Sequence, residues 1–385
     1  MKKLLIIMLA FLIYIPSWSQ KQEKEKNWWI RGYVKDLVNV NISNDSTTFD
    51  NLIHNRLNFK WFPNDEINVK IELRNRFFWG ETVKSIPNYG KLVDVNNDHF
   101  DLSAMNGKNS ILGHTMVDRA YLEWYKNDWE VRVGRQRINW GINVVWNPND
   151  LFNAYSFFDF DYEERPGSDA VSIKKYTGVA SSLELASNTA GEFDDMVIAG
   201  KWAWNKWNYD FQLLAGKARE DYTVGFGWAG NIKDAGFKGE FTYFSPYTGK
   251  GDEALLFTVA LDYSFESSFY INGSLLVNTA ASVTPDFQEN INLFATDRIT
   301  AKELSPFRYA TFLQASYSFH PLINGGVATI YYPSKRDALF INPSVTFSVK
   351  QNLDLDLISQ IYYDKFFDDY KVQARLIFIR LKWNF

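Results

Sequence analysis

The chain has no cysteine among its 385 residues, and only 11 prolines and four histidines. Without cysteine there is no disulfide scaffold, thiolate metal centre or cysteine nucleophile. Charge of one sign is also missing: 41 Lys and Arg stand against 45 Asp and Glu, a formal net charge of -4. That balance excludes nucleic acid as an expected partner, because such binding needs clustered positive charge to displace counterions. Long apolar runs are absent too. The longest, Leu4 to Ile15, has twelve residues, against the roughly 20 that a membrane-spanning helix needs. What the chain has in quantity is aromatic: 14 Trp, 21 Tyr and 31 Phe make up 17% of it, far too many for a disordered tail.

The apolar run reads as an address. Lys2 and Lys3 precede it, Pro16 breaks it, and Ser17-Trp18-Ser19 supplies the small residues read by signal peptidase. Cleavage is expected after Ser19, with no Cys following to mark a lipoprotein. Loss of the two lysines takes the net charge from -4 to -6. Residues 20–27 are a polar lead-in, and 28–385 form the folded body.

That body repeats one pattern. From Glu66 to Trp79, Ile67, Val69, Ile71, Leu73, Phe77 and Trp79 share one face, and Asn68, Lys70, Glu72, Arg74 and Arg76 the other. A period of two is a strand. The polar face is too charged for a sandwich core, and the apolar face too long for solvent. Segments near 207–215, 269–278, 353–361 and 377–385 alternate in the same way. Short connections (near 63–65, 127–128, 177–179, 205–206, 233–234, 266–267, 320–321 and 350–351) alternate with longer ones (near 40–50, 80–115, 140–168, 188–195, 218–221, 245–253, 279–306, 333–339 and 365–371). The expected fold class is all-β: a transmembrane antiparallel up-and-down β-barrel of 18 strands, with 16 as the alternative, having short periplasmic turns and long external loops. Trp61, Trp124, Trp129, Trp204 and Trp207 flank the short turns, where an interfacial aromatic girdle belongs.

The last strand, Ile379-x-Leu381-x-Trp383-x-Phe385, resembles the C-terminal signal of Gram-negative outer-membrane barrels. The resemblance implies that the barrel-assembly machinery recognises Phe385, and that the protein resides in the outer membrane among its lipids. A narrower stretch is similar to porin-like barrels of the alginate-export type. It comprises Arg132-Val-Gly134-Arg135-Gln136-Arg137, Trp140-Gly141, Trp146-Asn147-Pro148-Asn149-Asp150 and Gly167-Ser-Asp169-Ala-Val171. It implies a solute channel with an inserted loop. A homo-oligomer is compatible with that reading.

Eighteen strands enclose an aqueous lumen. The turn at 63–65 places Arg56 opposite Glu72 and His54 opposite Arg74; the loop at 365–371 places Asp354 opposite Lys382 and Asp356 opposite Arg380. Strict alternation would turn Arg135 and Arg137 toward lipid, at about 2–4 kcal/mol each near the midplane. A β-bulge at Gly134 would bring them inward, to join Lys70, Arg74, Arg76 and Arg132 as a basic wall. The following loop, 140–168, interleaves Tyr155, Phe157, Phe158, Phe160 and Tyr162 with Asp159, Asp161, Glu163 and Glu164, after Asp150. Folding it into the lumen buries the rings and sets the acids against the arginines as a constriction that selects by charge.

Other chemistries find little support. His99 and His114 lie near Asp94, Asp98 and Asp101, but no nucleophile elbow occurs. Asp94-x-Asn96-x-Asp98 starts like a calcium loop, yet His99 stands where Gly is needed and Met105 where a bidentate Glu is needed. No phosphate loop is present, and the glycines between 225 and 239 read as strand positions that allow close packing. No cofactor, metal or catalytic residue is expected. The sequence points to a non-enzymatic channel for small hydrophilic solutes, anionic or carbohydrate. A plugged barrel that binds or assembles surface polysaccharide is the main competitor, and an outer-membrane hydrolase the lesser one.

Overall fold

The alternating segments pair into a single antiparallel sheet that closes on itself. The structure is a computed structural model describing residues 26–43, 46–94, 99–155, 157–249, 251–283, 299–334, 337–366 and 369–385. The expected signal peptide, 1–19, and most of the lead-in lie outside the described residues, as do Asn96 and Asp98 of the calcium-like motif.

Nineteen strands make the sheet. They begin with β1 (Trp28–Ile42), β2 (Thr47–Asn64), β3 (Ile67–Gly80), β4 (Ser103–Lys108), β5 (Ile111–Lys126), β6 (Trp129–Gln136) and β7 (Ser168–Gly178). They continue through β8 (Ser181–Asn188), β9 (Val197–Lys206), β10 (Tyr209–Ala218), β11 (Asp221–Ile232), β12 (Ala235–Pro246) and β13 (Ala254–Ser264). The last are β14 (Phe269–Asn278), β15 (Tyr309–His320), β16 (Ile323–Tyr332), β17 (Ala338–Lys350), β18 (Leu353–Phe366) and β19 (Asp369–Asn384). Among the described residues β4 pairs only with β5, and β3 pairs with β5 directly. Setting β4 aside, 18 strands form the wall, sealed where β1 runs beside β19 from Tyr33↔Asn384 to Ile42↔Arg375. Closure of the 18-strand wall pairs each of its strands on both sides, as a hydrocarbon environment demands.

The period-two faces separate cleanly. Leu122, Val133, Leu185, Leu213, Leu255, Leu275, Leu313, Leu357 and Ile379 stay exposed on the outside. Their neighbours one residue away point inward. The inner face has two characters. Over β1–β3 and β5 it buries charge: Lys35, His54, Arg56, Glu72, Arg74, Arg76, Arg119 and Glu123. Over β10–β17 it buries Leu214, Phe244, Leu256, Leu276, Phe312, Ile330 and Phe340.

Two expectations about connections need correction. Ala218 to Asp221 is a two-residue turn with Arg219 at φ 57°, and β18 and β19 are separated by only two residues. Strand alternation continues deep into both segments, which shortens the loops that turn residues alone suggest. Three truly long excursions remain, between Gly80 and Ile111, Gln136 and Ser168, and Asn278 and Tyr309. The register of β2 on β3 also differs. The turn sits at Asp65-Glu66 with an irregularity between Trp61 and Asn64, so Arg56 faces Arg74 and Asn58 faces Glu72. At the C-terminus the register is the expected one, with Asp354↔Lys382 and Asp356↔Arg380.

Candidate functional site: the lumen and its inserted loop

β6 leaves the wall early, and the pairing of its neighbour explains why. Upstream of Val117, the edge of β5 that β6 would continue along is already taken by β4, from Ser103↔Met116 to Lys108↔Ile111. The chain after Gln136 has no ladder to join and turns inward. Arg135 plugs the junction. Its guanidinium grips both oxygens of Asp169 at 2.9 Å, and donates to the carbonyls of Val117 and Phe100. The expected bulge is displaced. Pairing across Gly134 keeps one register, although Gly134 itself has φ 119°. The irregularity falls in β5, where Glu72↔Arg119 is followed by Leu73↔Val117 and Asp118 is the extra residue. Arg135 therefore sits in a buried clamp, not on the surface of the lumen.

The outgoing limb, 137–151, lies on the apolar wall. Ile138, Trp140 and Leu151 pack among Ala170, Ala186, Val197, Leu214, Phe244 and Leu256. Val145 and Trp146 pack against Leu276, Phe307, Phe312 and Ile330. Backbone polar groups carried into this region need partners, and wall side chains supply them. Gln212 donates to the Trp140 carbonyl at 2.7 Å. Glu240 accepts from the backbone N–H groups of Ile142, Asn143 and Asn149. Asp150 is fully buried and, among the described residues, has no ion pair within 4.0 Å. Burial pushes its carboxyl up to about 6, only partly opposed by Arg137.

The aromatic stretch then runs along the far wall. Phe157 meets Phe312 edge-on at 5.2 Å, Phe158 meets Phe340 at 4.7 Å, and Phe160 meets Phe378 at 4.7 Å. Such pairs contribute about 0.5–1.5 kcal/mol each beyond their buried area. Left on an external tip, the same rings would present apolar surface to water.

The return limb, 161–165, reaches the charged wall. Asp161 pairs with Lys35 at 2.9 Å and with His54 at 2.7 Å. Arg74 donates its Nε–H to Nε2 of His54 at 3.3 Å, so the proton of that imidazole lies on Nδ1, toward Asp161. Tyr162 lays its ring on Arg74 at 3.7 Å and donates its hydroxyl to Asp118. Glu163 meets Lys382 at 2.8 Å and Arg380 at 3.3 Å. Glu164 accepts from the Tyr33 hydroxyl at 3.1 Å and lies 3.7 Å from Arg56, which also pairs with Glu72 and Asp118. Burial alone would raise the Asp161 carboxyl, but the His54 hydrogen bond and the Lys35 charge outweigh it and hold it well below the usual carboxylate range. Glu163 is lowered in the same way: burial is overcome by Lys35, Lys382 and Arg380.

Open space survives beside this limb. A cavity of about 260 Å³ is lined by Lys70, Glu72, Arg119, Tyr121, Arg132, Gln136, Arg137 and Glu164. A second, of about 390 Å³, is lined by Arg137, Asn139, Asn143, Asn147, Tyr155, Glu163 and Arg165 among others. Arg137 borders both. Of the residues singled out from sequence, Lys70, Arg132, Arg137, Glu163 and Glu164 border open space. Arg74 is covered by Tyr162, and Arg76 is spent on His114 and the Val93 carbonyl. Asp150 and Asp161 are buried, and exposed Asp159 accepts from the Tyr162 N–H at 3.2 Å.

Sequence reasoning missed Lys35, Arg119, Arg165 and Glu240. Lys35 and Glu240 occupy inward positions of their strands, so parity could have nominated them; nothing in the sequence named their partners. Among the described residues Arg137 and Arg165 have no ion pair within 4.0 Å. Arg165 stacks on Tyr155, with burial and then the like charge of Arg137 pushing it down to about 10, still charged at neutral pH.

No family model matches the chain, and no curated protein matches its sequence. Solved structures do match. Acinetobacter baumannii OccAB4 aligns at 12% identity with a TM-score of 0.58, covering 95% of this chain and 100% of that one. The outer membrane protein OpdK of Pseudomonas aeruginosa aligns at 9% identity and 0.58, covering 92% and 98%. A further structure of OpdK, with vanillate, aligns at 8% and 0.55, covering 93% and 98%. At these identities the likeness is one of fold alone: a closed antiparallel β-barrel with 18 strands in its wall.

Proposed function

We propose that the protein resides in the outer membrane and passes small hydrophilic solutes by diffusion through its lumen, with a preference for anions. The observation that carries this is the pair Arg137 and Arg165. Both border open space beside the inserted loop, and neither is neutralised by an ion pair among the described residues. Every acid of the return limb is already engaged with a wall cation or, for Glu164, also with Tyr33. Buried Asp150 acts on both arginines, one acid against two cations, so the field beside the loop is net positive, and a low-dielectric wall concentrates it on a passing anion. The vanillate held by one structurally similar barrel is a carboxylate on an aromatic ring. A solute of that chemistry suits two arginines beside Tyr155.

Single-channel recording in a planar bilayer, with a salt gradient across it, tests the reading. Stable steps with an anion-selective reversal potential are expected. Changing both Arg137 and Arg165 to Gln should abolish the anion preference, and raising salt should weaken it. A folded barrel without conductance would move the assignment to the plugged, polysaccharide-binding alternative.

A further inference from the structure

Glu240 stands on β12 at an inward position, wholly buried. Its Oε1 accepts from the N–H groups of Ile142 and Asn143, and its Oε2 from that of Asn149 at 3.0 Å. One carboxylate thus satisfies three backbone donors of a segment with no ladder of its own. The wall around it is cut to receive the same segment. Thr242 donates to the Asn149 side chain at 2.7 Å, and Asn149 donates to the Phe226 carbonyl at 3.2 Å. A Cβ at Gly225 would come within 2.5 Å of Asn149 Oδ1, and one at Gly227 within 2.7 Å of the Ile142 side chain. These glycines of β11 leave room for the limb to lie flat. Asn139, Asn143 and Asn147 on that limb border the open cavity with Arg137.

We propose that Glu240 is the positioning residue of the lumen passage: by clamping 142–149 to the wall it fixes the width of the opening and the placement of Arg137. This rests on the channel reading above. The carboxylate touches no solute; it acts through the limb. Glu240→Gln keeps the shape but replaces one acceptor oxygen with a donor that opposes a backbone N–H. The chain has no native cysteine, so a Val145→Cys probe, placed at a residue 3% exposed, reports release of the limb by its maleimide labelling rate.

With the barrel shown folded by heat-modifiable mobility, E240Q should speed labelling about tenfold or more, the effect of losing one hydrogen bond to a charged acceptor. It should also raise single-channel conductance and shrink the anion-selective reversal potential. Gly225→Ala, which displaces Asn149 and leaves the carboxylate intact, should move all three readouts in the same direction by less, and it serves if E240Q does not fold. Unchanged labelling in the folded variants would overturn the clamp. Faster labelling with an unchanged reversal potential would reduce Glu240 to a stabilising contact and overturn the positioning role. Faster labelling in a barrel whose wild type never conducts would uphold the clamp and overturn the channel reading instead.

Discussion

From Ile138 to Leu151 the inserted loop rests on Leu214, Phe244 and Leu256, and Gln212, Thr242 and Glu240 meet part of its buried polar surface. From Asp161 to Glu164 the same loop rests on Lys35, His54, Arg56 and Arg74. One barrel thus holds the two limbs by different physics. Apolar packing is insensitive to salt and to pH. Ion pairs respond to both, and each buried pair recovers its desolvation cost only while every partner stays in place. The comparison teaches that the return limb is the part of the loop held by charge and so open to screening by salt, and it lies beside the cavities that solute would cross.

The sharpest way to break the contrast is at Arg56. Its side chain is fully buried and serves Glu72, Asp118 and Glu164 together. Arg56→Ala removes the cation shared by two buried acids, leaving Glu72 to Lys70 and Asp118 to Arg119 and Tyr162, and should cost about 3 kcal/mol. Urea unfolding of the barrel in lipid vesicles measures it. A loss below about 1 kcal/mol, the range of exposed pairs, would show that water reaches this wall freely and that the return limb is not ionically held.

That wall was only half legible in the sequence. Alternation on β3 named Lys70, Glu72, Arg74 and Arg76 as inward, because parity is a local property of a strand. Pairing is not local. Arg56 was assigned to Glu72 as a direct cross-strand partner, yet it reaches Glu72 diagonally, because the turn lies at Asp65-Glu66. Burial of the 140–168 loop followed, as an expectation, from its rings. The cause of its departure did not: β4 occupying the edge of β5 is a contact between segments far apart in sequence. Likewise the expected facing of basic and acidic walls across a gap became direct contact at Asp161 and Glu163, which left Arg137 and Arg165 as the uncompensated pair.

The two limbs should also differ in the sign of their pH dependence. Asp161 and Glu163 are held below the ordinary carboxylate value in the folded protein. The stability they contribute is present above about pH 4, where the unfolded carboxyl ionises, and is lost as pH falls further through the folded values. Asp150 is raised to about 6, so its burial costs nothing below the unfolded value and destabilises increasingly as pH rises toward 6. Relative to wild type, Asp150→Asn should gain up to about 3 kcal/mol between pH 4 and pH 7. Asp161→Asn should instead lose, with its deficit shrinking as pH falls below about 4. Parallel unfolding curves for the two variants across pH 3 to 8 would erase the distinction between the limbs.

The smallest effect is the one that isolates the mechanism. Lys382 and Glu163 lie 2.8 Å apart with Glu163 two-fifths exposed, so Lys382→Gln should cost about 0.2–1 kcal/mol. That cost should fade in about 1 M salt, where the screening length drops to roughly 3 Å. Phe158, set edge-on against Phe340 at 4.7 Å, offers the matched control. Phe158→Leu should cost about 1 kcal/mol, and the cost should not fade with salt, because dispersion and apolar burial involve no counterion. If both losses fall together on adding salt, the charge of the return limb is not what holds it. If only the lysine variant recovers, the ionic and apolar attachments of the loop are separable, and salt can loosen the first while the second holds through its packing against Phe312, Phe340 and Phe378.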